Sequence, residues 1–135
     1  MGFCSPVDVP EKEMANLSHP PSATLIHQAS EVDGGSDERC VGAHVDRLYG
    51  TDRSLEEIVS FYSQTLPSDW RKDERSPHPA WVSPNKVFLF LIISSYMKNE
   101  APDIPEHLID SAMQTYRTVY IVRISYSEGG RCRGF

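Results

Sequence analysis

A chain of 135 residues, 39% hydrophobic and 24% charged, carries enough apolar material for one core and fits a single folded domain. A net charge of -6 and a pI near 5.3 argue against nucleic acid as a partner, and no apolar run approaches the ~20 residues of a membrane-spanning helix. Three cysteines, Cys4, Cys40 and Cys132, are too few and too far apart for a disulfide framework or a thiolate metal site.

The charge is unevenly spread. Asp8, Glu11, Glu13, Glu31, Asp33, Asp37 and Glu38 outnumber Lys12 and Arg39 in the first 40 residues, whereas Arg117, Arg123, Arg131 and Arg133 face only Glu128 at the other end. Residues 1–21, with Pro6, Pro10, Pro20 and Pro21 and no hydrophobic period, read as an irregular acidic arm. Residues 22–127 read as a single α+β domain, and residues 128–135 as a flexible basic tail. The amino end lacks a basic-then-apolar leader, so a cytoplasmic location is expected as the chain stands. An extracytoplasmic one is expected if a signal was trimmed before Cys4, which would then be a lipid anchor.

In chain order, residues 22–32 predict a first strand and Asp33-Gly34-Gly35-Ser36-Asp37 a turn. Residues 40–49 alternate, with Val41, Ala43 and Val45 on one face and Gly42, His44 and Asp46 on the other, as a half-buried strand does. Ser54 and Glu57 then form a capping box ahead of Leu55, Ile58, Val59, Tyr62 and Leu66, whose spacing is that of one buried helical stripe. Pro67 ends this helix near residue 65. Residues 70–74 predict a short strand. Residues 80–82 and 86–96 predict a hairpin turning at Pro84-Asn85, and its second strand is apolar on both faces from Val87 to Ile93. A polar loop over 97–105 leads to a second helix opened by Pro105, with Leu108, Ile109, Ala112, Met113 and Tyr116 as its buried stripe. Residues 118–127 close the domain as a strand, with Tyr120, Val122, Ile124 and Tyr126 facing one way and Val119, Ile121 and Arg123 the other.

The stretch Tyr49-Gly50-Thr51-Asp52-Arg53-Ser54-Leu55-Glu56-Glu57-Ile58-Val59-Ser60-Phe61-Tyr62, followed by Leu66 and Trp70, resembles a pattern in small uncharacterised bacterial α+β domains, some of them in predicted lipoproteins. Asp69 stands where those domains commonly have a glycine before the tryptophan. The resemblance implies a fold and a packing role for these residues, and no catalytic ones.

The expected architecture is therefore an antiparallel-rich sheet of about five strands, in the order β-β-α-β-β-α-β, with two helices packed on one face. The doubly apolar strand then needs cover on the sheet's second face. The arm, a curled sheet, or a protein partner such as a second copy would each provide it.

Few residues suggest chemistry. His44 and Asp46 share a strand face, and an antiparallel first strand would bring His27 near them; imidazole and carboxylate together suit a divalent metal. Cys40 and His44 are four residues apart on a strand, roughly 13 Å, too far to act as thiolate and base. Glu56 and Glu57 are explained by the cap, Ser94-Ser95 lacks a nucleophile elbow, and no glycine-rich loop precedes a helix. With no convergent catalytic set and no cofactor motif, the expected function is a non-catalytic binding or interaction module. It would take a protein partner, a small apolar ligand or a second copy. The alternatives are a small metal-dependent enzyme using His27, His44 and Asp46, or an envelope-attached lipoprotein domain.

Overall fold

In the computed structural model, which describes residues 8–33 and 42–126, the chain order is α1 (Asp8–Asn16), β1 (Thr24–Asp33), β2 (Gly42–Thr51), α2 (Leu55–Thr65), β3 (Arg71–Lys72), β4 (Ala80–Val82), β5 (Val87–Ile93), α3 (Ser94–Glu100), α4 (Glu106–Thr115) and β6 (Thr118–Tyr126). The α+β class is as expected. The strands form one six-stranded sheet, β1-β2-β6-β5-β4-β3, and every pairing is antiparallel. None of the described helices is long and apolar enough to cross a membrane.

Two helices on one face is corrected to four helices on two faces. Val45, Tyr49, Leu89, Leu91, Tyr120, Val122 and Ile124 point to the side where Met14 of α1 and Ile58 and Tyr62 of α2 are buried. Leu48, Ile92, Val119 and Ile121 point to the side where Met97 of α3 and Ile109 and Ala112 of α4 close over them. This answers the question posed by the doubly apolar strand: β5 lies inside the sheet, α1 and α2 cover its Leu89 and Leu91 face, and α3 closes over Ile92 on the other, leaving Phe88 and Phe90 half-buried.

Each departure has a local cause. The arm expected to be irregular holds α1, a weakly amphipathic helix with acidic Asp8 and Glu11 in its first turn. It is pinned rather than self-supporting. His19, just beyond it, donates from Nε2 to the Met14 carbonyl at 2.9 Å and accepts at Nδ1 from the Tyr62 hydroxyl at 2.8 Å. Burial lowers the His19 pKa and so favours the neutral imidazole, in which Nδ1 accepts from the Tyr62 hydroxyl. The strand expected over 86–96 stops at Ile93, and Ser94–Glu100 turns into α3, so that Met97 is fully buried where a polar loop was expected. Of the expected α4 stripe, Ile109 and Ala112 are buried as expected, whereas Met113 is 49% exposed.

The α2 capping box forms as the spacing requires. Glu57 N–H donates to Ser54 Oγ at 3.2 Å, and Ser54 N–H donates to Glu57 Oε1 at 3.0 Å. Just before it, Gly50 sits under the Tyr116 ring so closely that an added Cβ would overlap the ring. Gly50→Ala therefore costs about 1–3 kcal/mol by overpacking. Urea denaturation checks this, and Tyr116→Ala in the same chain recovers part of the loss.

Candidate functional site

The α3–α4 side of the sheet is not uniformly apolar. Leu48, Ile121 and Ile92 lie in one register row across β2, β6 and β5. In the next row Asp46 faces Arg123, which faces Phe90, and in the row beyond His44 faces Ser125, which faces Phe88. On the other flank of β2, Glu31 pairs with His44 and Ala29 with Asp46. The sheet thus changes from an apolar end to a charged one within two residues of each strand. The α3–α4 connection covers the charged end, bringing Glu100 and Asp103 over it.

Arg123 organises the cluster. Its Nε donates to Asp46 Oδ1 at 2.7 Å and its Nη2 to Asp46 Oδ2 at 2.8 Å, a bidentate fork on a carboxylate with no solvent exposure. The same Nη2 donates at 2.6 Å to the Glu100 carbonyl at the end of α3, where the helix dipole favours a cation. Burial pushes the Asp46 carboxyl up to about 6. Arg123 pulls against this, and neighbouring Asp103 adds to the upward push.

Around His44 three carboxylate oxygens gather, Asp46 Oδ2 among them. Its Nε2 lies 3.5 Å from Asp103 Oδ2, 3.6 Å from Glu31 Oε1 and 3.7 Å from Asp46 Oδ2. The Asp103 side chain is 7% exposed, yet neither of its oxygens makes a close, well-aligned hydrogen bond among the described residues. Burial raises the Asp103 pKa, but its interactions with His44 and Asp46 outweigh that and leave it below the usual carboxylate value. Glu31, His44 and Asp103 each offer one atom within 4.8 Å of the other two, a spacing suited to a metal ion.

Beside this cluster opens a cleft of about 230 Å³, lined by His44, His78, Glu100, Arg123 and Ser125 above Phe90 and Ile92. His78, on the β3–β4 connection, donates from Nε2 to Glu100 Oε1 at 2.7 Å and meets the edge of the Tyr96 ring. A larger hollow of about 460 Å³ beside β3 and β4 is lined by Ser68, Asp69, Arg71, Val82, Ser83 and Pro84. Its charged groups, Asp69 and Arg71, are both exposed, so it gathers no buried polar group and makes a poorer candidate.

Of the residues expected to hold a metal, His44 and Asp46 do come together. His27 pairs with Leu48, four residues along β1 from the Glu31 that pairs with His44. Glu31, His78, Glu100, Asp103 and Arg123 were not anticipated in any site. The sequence did carry one signal for Arg123, its position beside Val119 and Ile121 on an inward strand face. Cys4, Cys40 and Cys132 lie outside the described residues. In comparisons with known proteins, the chain matches no family profile, no curated protein and no solved structure.

Proposed function

We propose that the chain is a binding module whose site is the cleft between α3 and the β2-β6-β5 face, and that its ligand is a small polar molecule. One observation carries this reading: five polar side chains from β2, the β3–β4 connection, α3 and β6 converge above an apolar floor. A few placed polar groups around apolar walls are what a small-molecule site needs. The volume suits a metabolite-sized ligand rather than a peptide. Phe90 and Ile92 would pack on its apolar part, while the His78–Glu100 pair and Ser125 would receive its polar groups. Two His side chains and a Glu beside a bound Arg favour a ligand with both donors and acceptors over a simple anion. Among the described residues no hydrogen bond joins Ser125 to His44 as nucleophile to base, which favours binding without turnover.

A screen of small polar fragments against the ¹⁵N-labelled chain tests it. The expected hits shift the Phe90, Ile92, Glu100 and Ser125 amides together, and Phe90→Trp, which narrows the floor, abolishes those shifts while the fold is kept. Fragments that bind only beside Arg71 and Val82, or none that bind at all, would contradict it.

A further inference from the structure

We infer that Glu31, His44 and Asp103 form a binding site for one divalent transition-metal ion of the zinc class. The inference stands on its own observations and does not require the neighbouring cleft to be a ligand site.

The distances carry the first part. His44 Nε2 is 3.5 Å from Asp103 Oδ2 and 3.6 Å from Glu31 Oε1, too long for strong hydrogen bonds. Metal–ligand bonds of about 2.0–2.2 Å in a tetrahedron put neighbouring ligand atoms about 3.4 Å apart. Two of the three spacings match that value, and the third, between Glu31 and Asp103, lies within 4.8 Å.

Asp103 supplies the second, independent part. A carboxylate more than nine-tenths buried is normally held by hydrogen bonds or a cation, because the alternative leaves charge without solvent. Asp103 makes no hydrogen bond of good geometry among the described residues; its oxygens are aimed at His44, whose Nε2 lies 3.5 Å away. Charge gives the third part. Glu31, Asp46 and Asp103 bring three carboxylates to one imidazole, and Arg123 already forks onto Asp46. Two negative charges remain among the described residues, and a divalent ion balances both, whereas protonation of His44 balances one.

One nitrogen and two carboxylate oxygens suit Zn²⁺ or Co²⁺, with Mn²⁺ weaker in the general affinity order. Three protein ligands leave one position open, as in sites that bind a further ligand to the metal. His44 belongs both to this set and to the cleft wall, so a cleft ligand could reach that position. Asp46, engaged by Arg123, orients the set from outside it.

The test titrates the full chain, freed of metal with a chelator, with Co²⁺ and then Zn²⁺ at pH 7.5. Cys4, Cys40 and Cys132 are replaced by Ser so that no thiolate contributes. The expected result is one ion per chain, with Zn²⁺ displacing Co²⁺, and a visible Co²⁺ spectrum of a four- or five-coordinate site. His44→Ala and Asp103→Asn each weaken binding at least tenfold, and His27→Ala leaves it unchanged. Glu31→Gln, at a half-exposed position that does not threaten folding, also weakens it about tenfold. No saturable binding, binding indifferent to Glu31→Gln and His44→Ala, or binding lost with His27→Ala would each overturn the assignment. Failure here leaves the fragment screen's result standing, and the reverse also holds.

Discussion

Arg123→Ala destabilises the fold by about 3–5 kcal/mol at pH 7.5, the loss expected when one partner of a buried ion pair is removed and the other stays buried. The carboxylate left behind is Asp46, which has no solvent exposure. The penalty depends on pH in a defined direction. Burial already raises the Asp46 carboxyl to about 6, above its unfolded value of 3.8. Between those values the folded state holds the proton more tightly than the unfolded one. The carboxyl's contribution to folding is fullest below 3.8 and is withdrawn as pH rises through 6. Without Arg123 the carboxyl rises further still. Urea denaturation at pH 7.5 and pH 5 should then show a smaller penalty at pH 5, where Asp46 takes up its proton in both proteins. An equal or larger penalty at pH 5 would mean that Arg123 acts mainly through the Glu100 carbonyl and through packing.

Met14→Ala, the second large effect, costs about 2–5 kcal/mol, the range for emptying a fully buried aliphatic site. Met14 is 1% exposed and packs in the same cluster as Tyr62 and Leu89, although it comes from a segment whose composition suggests an arm. An exposed arm would tolerate this change within about 0.5 kcal/mol, so the denaturation midpoint separates the two descriptions cleanly. His19→Ala should act in the same direction, because it frees the Tyr62 hydroxyl and the Met14 carbonyl together.

What could be read from the letters was local. The Ser54–Glu57 box, the stop at Pro67 and the two faces of β6 depend on neighbours within a few residues, and all appear in the fold. β2, expected to be half-buried, is instead buried on both faces, because it lies between β1 and β6 with helices over each side. The first helix was hidden because its apolar residues are weakly patterned and its anchor, Tyr62, lies 43 residues beyond His19. α3 was hidden because Ser94-Ser95-Tyr96 continues an apolar strand smoothly, and only packing of Met97 makes a helix the better solution.

The site was legible only in part for the same reason. That His44 and Asp46 share a face follows from period two. That Arg123 forks onto Asp46 depends on β6 lying beside β2, a pairing 77 residues apart that no local pattern specifies. Glu31 replaces His27 beside His44 through register. The irregularity between Leu25 and His27 and the closure of β1 on β2 at Asp33 and Gly42 set which residue faces His44. Asp103 stands two residues before Pro105, which opens α4. In the fold Pro105 takes the cap position, and Asp103 is turned under the α3–α4 connection toward β2.

The central claim is that the charged end of the α3–α4 face is a built site, and Mn²⁺ at low occupancy on ¹⁵N-labelled protein tests it most directly. Paramagnetic broadening should be strongest at the amides of Glu31, His44 and Asp103, extend to Arg123 and Ser125, and spare Ile58 and Tyr62 across the sheet. Broadening spread evenly over the exposed acids of α1 and α2, with His44 and Asp103 untouched, would contradict it.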